Sequence, residues 1–237
     1  MDNTGYDRID NKEEVHSMVP NVLVIGDVIL DQYISGKCLR ISPEAPVPVM
    51  SDIALSNQAG GAANVALNLK ALGCNVTLMG VTGRDKDANI LQDLCSGFVY
   101  MHFQRVSDIP TTLKTRYICD GQQILRIDRE KHTNNNDILK YYEAQLYYNQ
   151  HVVIADYGKH FTEIIPQIIQ LARDVGIPVH CDPKSSDWSI YRNVSTITPN
   201  LKEFAEAGGD TASHAARESS CTELRKKFEI NSILLTQ

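Results

Sequence analysis

Polar residues close a series of apolar runs in this chain: Asp27 follows Asn21–Ile25, Asp156 follows Val152–Ala155, Asp182 follows Ile177–Cys181 and Asn200 follows Ser195–Pro199. If the runs are parallel strands, their carboxyl ends lie along one edge, which is where open α/β sheets bind small ligands. Any one of these residues is equally a turn or a helix cap. Four in succession point to a site. A second feature is Gly60-Gly61-Ala62-Ala63-Asn64, a glycine pair entering a small-residue helix that runs to Leu72 and stops at Gly73. Such a start admits a ligand close to the backbone and offers unpaired N–H groups to oxygen atoms, although tight packing alone gives the same letters. Lys114 and Arg116 stand two apart on an expected strand and so face one side, either toward a pocket or as the solvated face of an edge strand. Asn200 and Glu203 have the spacing of an N-cap with its capping box.

The elements that must position these groups follow from periodicity. Asn21–Ile25 reads as a strand buried on both faces, and Val76–Val81, Val152–Ala155, Ile177–Cys181, Ser195–Thr198 and Ser232–Thr236 as further strands. Helices are expected over 62–72, 85–94, 137–148, 162–175 and about 213–228, with a helix opening at Asn200. This alternation of strands and helices is that of an α/β fold with a mostly parallel sheet. Two stretches break it. Arg40–Val49 carries three prolines, Pro43, Pro46 and Pro48, and is expected to leave the main sheet as an extended edge. Residues 98–106, 111–118 and 123–127 read as strands, the last two joined by the hairpin signal Asp120-Gly121. The hairpin and the Pro-rich excursion together predict a small antiparallel β lid within about 32–55 and 98–127, with an exposed face that two subunits can share as a homodimer. Residues 1–20 are polar without apolar period and read as a flexible tail before a domain over 21–237.

The chain has 237 residues, 43% apolar and 22% charged, with a net charge of -6. That is enough to bury a full core. The acidic balance, with no basic run interleaved with aromatics, excludes a phosphate-backbone partner, so no nucleic acid is expected. No apolar run is long enough for a signal peptide or membrane span, and the six cysteines form no Cys-x-x-Cys pair. A cytoplasmic protein with reduced thiols is expected.

Several of these motifs together carry a resemblance. Gly26-Asp27 through Asp31, Arg-Ile-Ser-Pro-Glu-Ala-Pro-Val-Pro at 40–48, the glycine pair through Asn64, Thr-x-Lys-x-Arg at 112–116, Asp156-Tyr157 with Lys159, Asp182-Pro183-Lys184, and Thr198-Pro199-Asn200 with Glu203 resemble the ribokinase-like, PfkB-type carbohydrate kinases. The run at 40–48 is similar to that of the D-glycero-β-D-manno-heptose 7-phosphate kinases of ADP-heptose and lipopolysaccharide core synthesis. The resemblance implies a ribokinase-like sheet with a β lid, ATP and Mg²⁺ as cofactors, and phosphorylation of the heptose phosphate at O1. It assigns Asp27 and Asn64 to sugar hydroxyls, Gly60 and Gly61 to close sugar contact, Lys114 and Arg116 to the 7-phosphate, and Asp156 and Lys159 to the cleft. Lys184 would approach phosphates or pair with Asp182, while Asn200 and Glu203 would organise Mg²⁺, Glu203 through water.

The family's catalytic base belongs to a Gly-Ala-Gly-Asp motif expected downstream of Gln237, so the chain is expected to lack the C-terminal part of the fold and to turn over little. Ala207-Gly208-Gly209-Asp210 imitates that motif in letters but follows only a short helix, and is expected to be a loop and cap. A ribokinase- or fructokinase-type sugar kinase and a non-catalytic sugar-phosphate-binding remnant are the alternatives. A nucleotidyltransferase is disfavoured, because none of the seven histidines makes a His-x-Gly-His pair.

Overall fold

A computed structural model describes residues 19–97, 100–133 and 137–236. The first strand, β1 (Asn21–Gly26), shows why its sequence is apolar without alternation. Leu23 and Ile25 point into one core with Ile154, Ile168 and Trp188, while Val22 and Val24 point into another with Leu78, Ala62 and Leu91. Both faces of the strand are covered, so each side chain buries an area that stabilises by roughly 1.5–3 kcal/mol.

The next two strands, β2 (Val28–Ile41) and β3 (Pro48–Gly61), form a long hairpin, and helix α1 (Ala62–Ala71) follows without a break. Then come β4 (Asn75–Gly83), α2 (Lys86–Cys95), β5 (Tyr100–Val106), β6 (Leu113–Cys119), β7 (Gln122–Arg129), α3 (Ile138–Leu146), β8 (His151–Ala155), α4 (Ile165–Asp174), β9 (Val179–Asp182), β10 (Thr196–Ile197), α5 (Leu201–Glu206), α6 (His214–Phe228) and β11 (Ser232–Ile233). The main sheet has the order β11-β10-β9-β8-β1-β4-β5, with every adjacent pair parallel. The first of the described strands, β1, lies in the interior of this sheet, beside β4 on one side and β8 on the other. Ala62, Ala63 and Ala66 of α1 are fully buried against it, which explains the helix's small residues.

The lid is a second, four-stranded sheet in the order β3-β2-β6-β7. Its hairpin turns at Asp120 and Gly121, both with positive φ (48° and 83°), as the Asp-Gly pair requires. Pro43 and Pro46 sit in the turn between β2 and β3, and Pro48 opens β3, an edge strand that tolerates its missing N–H.

Three expectations are corrected here. The lid is mixed, not antiparallel: β2 and β6 pair in parallel because each is the inner strand of its own hairpin and both leave the main sheet in the same direction. The lid is also narrower than 98–127, since β5 pairs with β4 and extends the main sheet. The cysteines are not all thiols: Cys38 and Cys119 are joined in a disulfide, brought to a Cα separation of 5.8 Å by the β2–β6 register. The remaining four are free. Nearly all of the expected tail lies outside the described residues. Among the described residues no helix is long and apolar enough to cross a membrane.

Candidate active site

The glycine pair ends β3 and opens α1. Gly61 has φ 57° and caps the helix, and a Cβ on it would stand 2.2 Å from the Asp27 carbonyl oxygen. A Cβ on Gly60 would meet the Asp31 carboxylate at 2.2 Å. The glycines are required here because the Asp31 carboxylate stands against Gly60 and the Asp27 backbone carbonyl against Gly61. Asn64 lies one turn into α1, exposed, its amide oxygen accepting from Asn68 at 3.4 Å.

Asp27 does not present its carboxylate to this opening. It is fully buried and accepts three backbone N–H bonds, from Tyr157 (2.9 Å), Lys159 (3.0 Å) and His160 (2.8 Å). Burial pushes its pKa up to about 6 against the opposing pull of those three donors. The assignment of Asp27 to sugar hydroxyls is corrected accordingly, because the carboxylate is fully buried and turned to three N–H groups of the chain itself. The carboxylate left open beside the glycines is Asp31. Sequence reading passed over it, although its position four after Asp27, on a strand leaving the sheet edge, was the available signal.

Asp31 accepts from the Arg116 guanidinium at 2.6 Å, and Arg116 in turn lies 5.3 Å from the centre of the Tyr33 ring. This charged partner holds the guanidinium pKa above its ordinary value. Registration of Asp31 with Lys114 and of Tyr33 with Arg116 places all four on one face of the lid, the face that also carries Gln58 and Gly60. The expected same-face pairing of Lys114 and Arg116 is present.

A third group lines the strand ends. Glu203 and Asn200 make both bonds of the capping box, with Glu203 Oε2 accepting from the Asn200 N–H at 3.0 Å and Asn200 Oδ1 from the Glu203 N–H at 2.9 Å. Lys184 approaches the other Glu203 oxygen at 3.8 Å rather than pairing with Asp182. Asp182 accepts from the Thr198 hydroxyl, and burial, then the nearby Glu203, raises its pKa. Tyr157 sits among these groups: burial raises its phenol pKa, followed by the charges of Asp182, Asp31, Asp27 and Glu203. Tyr157, partly buried against the core that holds Val24 and Ala62, therefore stands within reach of four carboxylates, a position that sequence reading did not assign.

Asp156 and Lys159 fare differently from their expected place in the cleft. Asp156 is buried, with its oxygens accepting from the Gly158 N–H (2.8 Å) and the Tyr191 hydroxyl. That correction has a simple reason: the residue after β8 braces the turn that carries Tyr157. Lys159 reaches the lid, where its ammonium meets Glu130 at 2.6 Å. Asp210 accepts from the Ala212 N–H in a tight turn, and the Gly209 N–H donates to the Phe204 carbonyl, so the Ala-Gly-Gly-Asp stretch is the C-terminal cap of α5, as expected.

The model of the pfkB family of carbohydrate kinases matches residues 19–237. The chain belongs to that family. The bifunctional protein HldE of Ectopseudomonas mendocina is 45% identical over 219 residues, 91% of this chain and 46% of that protein, and the Coxiella burnetii HldE (strain Dugway 5J108-111) is 40% identical over 220 residues. The chain thus spans about half the length of these relatives. Among solved structures, Arabidopsis thaliana ribokinase with ribose and ATP superposes with a TM-score of 0.70 at 18% identity, covering 92% of this chain and 72% of that one. Giardia lamblia ribokinase gives 0.74 at 14% identity, covering 92% and 74%. These two show the fold to be ribokinase-like.

Proposed function

We propose that the chain is the kinase part of a heptose-phosphate kinase, which transfers the γ-phosphoryl group of ATP to O1 of D-glycero-β-D-manno-heptose 7-phosphate on the way to ADP-heptose. The observation that carries the reading is the lid face at the glycine pair, where the Asp31 carboxylate, paired with Arg116 and in register with Lys114, stands against Gly60. A sugar laid on Gly60 and Gly61 offers hydroxyls to Asp31 and to the Asn64 amide, and Arg116 and Lys114 then meet its phosphate. The motif at 40–48 and the 40–45% identity to HldE proteins support the heptose over other sugars.

The strand-end group fits the nucleotide side. A hard cation takes oxygen ligands and keeps much of its water when it also binds phosphates. Glu203, held in place by the capping box, and the exposed Asp182 supply such oxygens, and Lys184 beside Glu203 supplies a phosphate-directed cation. Mg²⁺ bound there with ATP would neutralise charge on the phosphates. Asn200 contributes by fixing Glu203. We assign no base among the described residues, because Asp210 is spent on a turn.

Two copies would associate through the outer lid face, where Leu55, Leu125 and Ile127 are about half exposed. ATP supply places the reaction in the cytoplasm. The test is calorimetry of the chain with heptose 7-phosphate, ribose, fructose and fructose 6-phosphate, beside ATP consumption by a chain of the relatives' full length. Preference for the heptose phosphate in both is expected. Equal binding of unphosphorylated ribose or fructose would turn the reading to a ribokinase- or fructokinase-type enzyme, and binding without turnover in the long chain would turn it to a non-catalytic sugar-phosphate binder.

A further inference from the structure

Asp27 joins three elements that are far apart in sequence. Its backbone N–H donates to the Ala155 carbonyl at the end of β8 (3.2 Å), and its own carbonyl accepts from Ala62, the first residue of α1 (2.9 Å). Its carboxylate gathers the N–H groups of Tyr157, Lys159 and His160. A carboxylate that collects successive backbone N–H groups from one turn fixes that turn as firmly as an anion does in a nest. The residues so fixed are Tyr157, which packs against the core holding Val24 and Ala62, and Lys159, whose ammonium meets Glu130 just beyond β7. Its carbonyl occupies the space that a side chain on Gly61 would need.

We infer that Asp27 is a positioning residue, whose buried carboxylate sets the 157–160 turn, and with it Tyr157 and Lys159, in register with the glycine pair across the substrate opening. This rests on the reading of that opening as the sugar-phosphate site. Sugar contact is left to Asp31 and Asn64. The isosteric change Asp27→Asn separates holding from charge, since an amide keeps the shape but turns an NH₂ toward the N–H groups that the carboxylate accepted. The cost of that mismatch falls on the turn and not on the strands, which keep their ladder bonds.

The experiment is amide hydrogen exchange on the 237-residue chain with and without Asp27→Asn, together with calorimetry of heptose 7-phosphate. Exchange at Tyr157, Lys159 and His160 should rise at least tenfold while Ile25 and Ile154 stay protected, and affinity should fall about tenfold with the thermal midpoint nearly unchanged. Unchanged exchange at the three amides would overturn the inference. Should the variant loosen everywhere, the wild-type chain decides: its three amide resonances should shift together with one midpoint as Asp27 titrates, and separate midpoints would overturn the inference. Asp156, His132, His160, Lys159 and Glu130 are the neighbouring charged or titratable groups, and substitution of His132 by Gln removes the one nearest the Lys159 carbonyl without touching the carboxylate. Arg116→Gln, at a cation the reading puts on the phosphate, tests that reading separately. If it leaves phosphosugar affinity unchanged while Asp27→Asn still frees the amides, the staple stands and the site assignment fails.

Discussion

The main sheet and the lid are both β structure, yet they are held by different means. In the main sheet β1 is closed on both faces, and Leu23, Val24 and Ile25 have no exposed surface. The lid has one polar face turned to the glycine pair and one apolar face on which Leu55, Leu125 and Ile127 stay about half exposed. Its base is buried with the body, Val28 and Leu30 of β2 sharing a core with Ala62 and Leu91 while Ala59 and Leu113 pack against it, and polar ties add to this: Arg129 to the buried Asp87, Lys131 to the Asp108 carbonyl, and Glu130 to Lys159. Burial on both faces makes the sheet, whereas the lid is buried only at its base and its outer strands rely on hairpins and polar ties.

The sharpest way to break this contrast is to make a deletion of similar size in each region. Ile25→Ala, inside the sheet, should cost about 2–5 kcal/mol in urea unfolding, because a closed cavity is left on a fully buried strand. A loss below about 1 kcal/mol would mean that the core is not what holds the sheet. The lid's counterpart is its cross-link. With the disulfide formed, Cys119→Ser should lower stability by about 2–4 kcal/mol, since the bond spans 81 residues, and the difference should vanish in reductant.

Function should sort the other way. Arg116→Met removes charge-assisted hydrogen bonds worth about 1.5–3 kcal/mol, so calorimetry should show at least a tenfold loss for a phosphorylated sugar and little change for its unphosphorylated form. Equal losses for both ligands would assign Arg116 to the lid's structure through Asp31.

A smaller effect depends on pH. The folded-state pKa of Asp27 is raised to about 6, so its contribution is full below its unfolded value and lost as pH rises through 6. Burial holds His160 down to about 4, so its contribution is full above its ordinary 6.5 and lost as pH falls through 4. Between pH 4 and 6 the two slopes oppose each other. His160→Gln removes one of them, and its unfolding free energy should gain on the wild type as pH drops from about 6.5 to 4, by on the order of 2–3 kcal/mol. Parallel curves would show that His160 is not held neutral. Least affected should be Leu125→Ala, within about 0.5 kcal/mol for the monomer, while sedimentation shows weaker self-association.

Much of this arrangement was legible in the residues. The unbroken apolar run of β1, the glycine pair before α1, the capping box at Asn200 and the Asp-Gly turn of the lid each depend on neighbours within a few positions, and local chemistry decides them. What failed depends on distant partners. Strand alternation told which face Lys114 and Arg116 share but not that β6 would lie parallel to β2, 83 positions away from it at Asp31, a register set only when two hairpins meet. The same holds for Cys38 and Cys119, for β5 joining β4, and for Asp27, which reads as a site residue until the turn 130 positions later closes over it.

That last distance has a consequence for synthesis. A ribosome adding about 5–20 residues per second makes β1 early and then needs roughly 6–26 s to reach the Tyr157 N–H that Asp27 awaits. Through that interval one edge of the nascent β1 lacks β8, and an acid without its donors sits at its tip. The strand that ends in the interior of the finished sheet is therefore, during translation, an apolar edge waiting for a partner, and a chaperone that shields short apolar segments should find it more readily than any strand made after β8.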